Sequence, residues 1–154
     1  MHSTIPTGAI TLVAGQALPL PWIEGSVRAG FPSPAADFAI KRHDLNELVI
    51  THPLATFMLQ ARGFSMIELG INDGDMLVVV FALEAVHGDI VVAEVDGEFT
   101  VKQYWIYNAV PQLRAGNPTF PTRIFKDGET MRICGVVTWN FRQIKRPHVR
   151  PGRR

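Results

Sequence analysis

From about Phe38 onward, apolar residues gather in short runs punctuated by glycine, proline and aspartate. Such a pattern predicts strands more than helices. "HDLNELVITHP", His43 to Pro53, reads as a short helical turn leading into an edge segment. "ATFMLQARG", Ala55 to Gly63, alternates enough to be a strand. "MLVVVFAL", Met76 to Leu83, is apolar throughout, as a strand buried on both faces is. "DIVVAEV" and "EFTVKQYWIY" flank Asp96-Gly97, a strong hairpin signal, and "RICGVVTWNF" predicts a last strand. Between the first two strands, "SMIELG" suits one helical turn with Ser65 at or near its N-cap, and Asp73-Gly74-Asp75 suits a tight turn. The expectation is one compact, mostly β domain without internal repeats.

Residues 1–30 lack sustained periodicity and mix Pro6, Pro19 and Pro21 with glycines, so they read as an extended arm. "LPLPWIEG" is expected to lie extended against a surface. "AGFPSPAAD", Ala29 to Asp37, continues as an extended linker accessible to a peptidase. The domain would then span residues 30–141, followed by a basic tail over 142–154.

Composition agrees with a folded domain: 47% of residues are hydrophobic and 19% charged, so the chain has core enough to fold. Its 154 residues allow one domain, not two. The single Cys134 excludes an internal disulfide and a cysteine-rich zinc site, and in "MRICGVVTW" it reads as a small core residue. Neither a cofactor nor a metal is expected. No apolar run approaches the ~20 residues of a membrane span. No Lys or Arg precedes Arg28, so the basic start of a signal peptide is missing. A soluble, reduced, cytoplasmic setting follows as the expectation. The net charge of +1 is uneven. Arg142 to Arg154 holds six of the fifteen basic residues and no acid, which leaves residues 1–141 at −5. Such a tail either touches nucleic acid or an acidic partner, or is simply solvated.

Chemistry narrows to serine and lysine. "GFSMI" is not a G-x-S-x-G elbow, because Ile67 stands at the second glycine position. His43, His52 and His87 have no local context that marks a base. A lysine can serve serine instead, provided it loses its proton. At an unperturbed pKa near 10.4, roughly one lysine in a few thousand is neutral at pH 7. Bringing that pKa down by about 3 corresponds to ~4 kcal/mol and requires apolar surroundings. Lys102 stands alone in an apolar β stretch, sharing a strand face with Thr100 and Tyr104. Taken by itself, it reads more simply as an ordinary exposed strand lysine.

Three segments in order change that balance: "AGFPSPAADF", then "GFSM" with "GINDGDMLVV", then "HGDIVVAEVDGEFTVK". Together they resemble the LexA/UmuD family of self-cleaving Ser-Lys peptidases. The 37-residue step from Ser65 to Lys102 fits, and "NPTFP" before "ICGVVT" is a weaker fourth match. "FPSPAADF" resembles the UmuD branch, and the arm before it is too short and too rich in proline and glycine for a helix-turn-helix domain.

The resemblance implies a LexA/UmuD C-terminal-like β fold with an N-terminal arm removed by self-cleavage over residues 1–29. It implies Ser65 as nucleophile, Lys102 as general base, the backbone N–H groups of Phe64 and Ser65 as oxyanion hole, and Ala29-Gly30 as the scissile bond, with Val27 in a shallow apolar subsite. It also implies a homodimer, a RecA filament on single-stranded DNA that promotes cleavage, and a UmuC-like Y-family DNA polymerase as partner. Two positions depart from the family pattern: Phe64 replaces a smaller or polar residue, and Val80-Phe81 replaces a polar pair. Three other readings fit parts of the chain: a non-cleaving dimeric polymerase-binding subunit, a LexA-like regulator that binds DNA through the tail, and a signal-peptidase relative. The absence of a membrane anchor speaks against the last.

Overall fold

The computed structural model describes Ile10–Thr11, Ala17, Pro19–Ile23, residues 40–124 and residues 130–145. Within these residues, ten strands form an eight-stranded antiparallel sheet and a separate two-stranded ribbon. The ribbon pairs β2 (Pro19–Ile23) with β3 (Ile40–Asp44). The sheet runs β1 (Ile10–Thr11), β4 (Thr56–Gln60), β5 (Met76–Val80), β10 (Met131–Phe141), β6 (Ile90–Val95), β7 (Glu98–Tyr107), β8 (Val110–Arg114) and β9 (Arg123–Ile124). The fold is mostly β, as the apolar pattern predicted. Ala29, Gly30 and Val27 fall in the β2–β3 connection, outside the described residues, as do residues 146–154 of the tail.

The core sits on both faces of the middle strands. β5 and β6 are β-branched runs whose valines are 0–9% exposed. Along β6, Val92 packs with Phe57, Met66, Ile71 and Leu77, whereas Val91, Ala93 and Val95 pack on the other side with Leu113 and Val136. This is the two-residue period of a strand. Each fully buried side chain contributes about 1.5–3 kcal/mol of transfer free energy. β10 serves both neighbours, pairing β6 through residues 131–136 and β5 through residues 136–141. It changes phase between Ile133 and Gly135, which moves the buried face from odd to even positions. A Cβ on Gly135 would lie 2.7 Å from Val79 Cγ1, so only glycine lets the two strands close here.

Several predicted elements are displaced. The helical turn α1 (Leu45–Val49) is capped by the Asp44 carboxylate and preceded by a strand that the pattern did not reveal. The predicted strand Met76 to Leu83 stops at Val80, because Phe81 N–H donates to Ala55 O instead of continuing the sheet. The turn near Ser65 is a short 3-10 turn at Ile67–Leu69, with Met66 at its cap and no side-chain capping bond. Ser65 therefore lies one residue earlier and does not cap it. β8 and β9 were not predicted; Pro111 disguises β8, and β9 is only two residues long. The Asp96-Gly97 hairpin forms as expected, with both residues at positive φ (51° and 84°), as a type I′ turn requires.

The two aspartates of the predicted turn do more than turn the chain. Asp75 is fully buried. Its carboxylate accepts two bonds of 2.7 Å from Arg142, one from Asn72 N–H and one from Asn140. Arg142 and Asn140 also donate to Gly70 O. The end of β10 and the first residue of the basic tail are thus fastened to the loop that follows Ser65. The Arg142 guanidinium, aided by Asn72 N–H and Asn140 and opposed by burial, holds the Asp75 carboxyl far below its ordinary value of 3.8.

A carboxyl held low stabilises the fold fully above its unfolded value and loses that contribution as pH falls through the native one. Asp75→Asn is expected to lower the thermal midpoint at pH 7 by roughly 5–10 °C. Calorimetry below pH 4 should show the gap between variant and parent shrinking. A constant gap down to pH 2 would contradict this role for the ionised carboxylate.

Candidate active site

The strand β4 leads directly into the segment that carries Ser65. That segment is tied to the 72–75 turn at four points. Ala61 N–H donates to Asp75 O at 2.7 Å, and Gly74 N–H donates to Ala61 O at 2.9 Å. Gln60 Nε2 reaches Gly74 O, and Gly63 N–H donates to the Asp73 carboxylate at 2.7 Å. Gly63 holds φ = +87°, which reverses the chain so that Phe64 and Ser65 project from the turn. Met66, 3% exposed, anchors the next residue in the core.

Lys102 comes from β7, opposite Val91 of β6. Its Nζ lies 3.0 Å from Ser65 Oγ, 3.0 Å from Thr100 Oγ1 and 3.0 Å from Val101 O. An ammonium has three N–H donors, so these partners saturate it. The side chain is half-buried, and burial pushes the Lys102 amine below its ordinary 10.5. The adjoining cavity of about 330 Å³ is floored by Leu59, Met66, Ile71, Val92 and Val101, with Gln60 and Arg62 also on its wall and no Asp or Glu among its described lining residues. These three hydrogen-bond partners of the amine are all uncharged, and burial desolvates its charge. A second depression of about 410 Å³ shares Phe99, Thr100 and Lys102 and continues toward Leu113 and Phe120, with Asp96, Glu98 and Arg123 on its wall. The groove thus runs past the amine on both sides.

The sequence-predicted residues divide as follows. Ser65, Lys102 and Thr100 come together. The N–H groups of Phe64 and Ser65 have no acceptor among the described residues. Phe64 is 62% exposed beside the serine. Ala29, Gly30 and Val27 lie outside the described residues. The histidines are engaged elsewhere: His43 meets Trp22 edge-on, His52 Nδ1 bonds Thr51, and His87 accepts from Ile106 N–H and packs on Trp105. Sequence reasoning missed the loop after β8. There Gly116 O accepts from Glu68 N–H and Asn117 Nδ2 donates to Phe64 O. The "NPTFP" match was the one signal that pointed to this loop. Among the described residues, no cluster of three His, Cys, Asp or Glu is arranged to hold a metal, and no helix is long and apolar enough to cross a membrane.

Residues 21–138 match the family model described as Peptidase S24-like. Among curated relatives, Protein ImpA of Escherichia coli is 48% identical over 113 residues, covering 72% of this chain and 75% of its own. Protein SamA of Salmonella typhimurium strain LT2 is 47% identical over 110 residues, covering 71% and 76%. Protein MucA of Escherichia coli is 42% identical over 120 residues, covering 77% and 82%.

The Lys102 environment predicts a measurable titration. In lysine-labelled protein followed by NMR, Lys102 should deprotonate below the ordinary lysine value of 10.5. Thr100→Val removes one acceptor that favours the ammonium and should lower its titration point further. A Lys102 signal that titrates at or above the ordinary lysine value would contradict the desolvated amine.

Proposed function

The chain belongs to the S24 peptidase family as a UmuD-like member serving SOS mutagenesis, and on that footing we propose that it cuts its own Ala29–Gly30 bond with Ser65 and Lys102. The observation that carries this reading is the 3.0 Å contact between Ser65 Oγ and the Nζ of a half-buried Lys102 whose hydrogen-bond partners among the described residues are all uncharged. Serine needs a base, and here the base in reach is an amine whose protonated form is penalised by burial.

In the reactive state Lys102 is neutral. Its two remaining N–H bonds go to Thr100 Oγ1 and Val101 O, which leaves the lone pair for Ser65. The Ser65 proton passes to Nζ as Oγ bonds the Ala29 carbonyl carbon. The carbonyl π pair moves onto its oxygen, where the N–H groups of Phe64 and Ser65 receive the developing charge. The intermediate collapses, the C–N bond breaks, and the Gly30 amine takes the proton from Lys102. Water then gives a proton to Lys102 and attacks the Ala29 ester, and Ser65 leaves with that proton. The products are residues 1–29 and 30–154. Docking of the arm along the groove expels water and depresses the Lys102 pKa further.

The remaining assignments rest on the family. A RecA filament on single-stranded DNA promotes the docked state. The shortened chain works as a homodimer and joins a UmuC-like Y-family DNA polymerase as its accessory subunit in translesion synthesis.

Mass spectrometry of the full chain after incubation with RecA, ATP and single-stranded DNA is expected to show the 30–154 product. Without RecA, cleavage should accelerate about tenfold per pH unit below the Lys102 pKa and level off above it. A rate that stays flat from pH 7 to 10 would exclude a lysine base. Ser65→Ala and Lys102→Ala should each abolish the product while leaving the thermal transition in place; a cut at Ala29–Gly30 in either variant defeats the assignment.

A further inference from the structure

The loop between β8 and β9 grips the nucleophile turn from outside the cleft. Gly116 N–H donates to Met66 Sδ at 3.4 Å, and Gly116 O accepts from Glu68 N–H at 2.8 Å. The Leu69 side chain sits so close over Gly116 that a Cβ there would lie 2.7 Å from Leu69 Cγ. Between these contacts, Asn117 Nδ2 donates to Phe64 O at 2.9 Å. The orientation of the Asn117 amide is fixed by its other end. Its Oδ1 accepts from Thr119 N–H at 3.1 Å and from Thr119 Oγ1 at 2.8 Å. A backbone N–H only donates, so the amide oxygen must face Thr119 and the amide nitrogen must face Phe64.

The bond between Phe64 and Ser65 is trans, as are all the described peptide bonds. In a trans peptide the carbonyl and the following N–H point in opposite directions. Asn117 draws the Phe64 carbonyl to one side and thereby turns the Ser65 N–H to the other. That N–H has no acceptor among the described residues, and Ser65 lines the cleft. A hydrogen bond to the carbonyl also polarises the amide and strengthens its N–H as a donor. We infer that Asn117 is a positioning residue for self-cleavage, holding the Phe64–Ser65 peptide so that the Ser65 N–H meets the developing oxyanion. This rests on Ser65 being the nucleophile, as proposed above.

The test uses the full chain and its RecA-independent cleavage at alkaline pH. Asn117→Asp keeps an oxygen for both Thr119 bonds but presents a carboxylate, which cannot donate, to the Phe64 carbonyl. A loop that mattered only for its shape would tolerate it. Asn117→Asp and Asn117→Ala are expected to lower the plateau rate roughly 10- to 100-fold. For Asn117→Ala, which adds no charge, the pH midpoint should not move, because Lys102 and its partners are untouched. An Asn117→Asp chain that cleaves within about twofold of the parent overturns the inference. So does a rate loss in Asn117→Ala accompanied by a shifted midpoint, and so does failure of both variants to show a cooperative thermal transition, which would make the role structural. Ser65→Ala run alongside separates the two levels. If it still yields residues 30–154, the nucleophile assignment itself fails; if it is silent while Asn117→Asp is active, only the positioning role falls.

Discussion

An amine deprived of water is the constraint around which the rest of the site is arranged. Lys102 has three uncharged acceptors at 3.0 Å, which favour its charged form, and a burial that disfavours it. Burial sets the direction, below the ordinary value. A site poised in this way responds strongly to small changes in how much water reaches the cleft. An arm that covers the groove is such a change. Restraint is therefore built into the resting geometry, and a self-cleaving protein needs restraint until it is called upon.

Such a balance demands a stiff frame, and the frame is polar as well as apolar. The β6–β7 hairpin fixes Lys102 through strand register. Ser65 has no strand of its own and is held by its neighbours: Asp73 on one side, the 116–120 loop on the other, and Met66 beneath. Asp75 and Arg142 fasten the base of that turn to the end of β10. Glycine is required where the frame closes most tightly, at Gly135 between β10 and β5 and at Gly116 under Leu69.

Local pattern revealed the elements that bury alternating or continuous apolar runs, namely β4 to β7 and β10. It also revealed the Asp96-Gly97 turn, whose chemistry is local. It could not reveal β1, β2 or β9, because two to five residues gain their strand character only from a partner far away in sequence. Ser65 and Lys102 were legible as a pair only through the ordered motifs around them. Thirty-seven residues of chain separate them, and nothing in either stretch states their contact. Asn117 lies 53 residues from Phe64, and Asp75 lies 67 from Arg142; both partnerships are tertiary. Asp75 looked like a mere turn former because its burial and its partners depend on the closed fold.

The ribbon has a further consequence. β2 belongs to the part before Ala29–Gly30, and β3 to the part after it. While the chain is whole, residues 24–39 tether the two strands, and a tether of that order maintains a local concentration in the ~mM range. Under the proposed cut at that bond, hydrolysis leaves the hydrogen bonds of the ribbon intact but removes the tether. Two-stranded ribbons are marginal in water, and Pro19 and Pro21 contribute no N–H to this one. On that proposal, β2 becomes a weak ligand that departs on dilution and does not return. Chemistry at one peptide bond would thus be converted by dilution into a one-way change of shape.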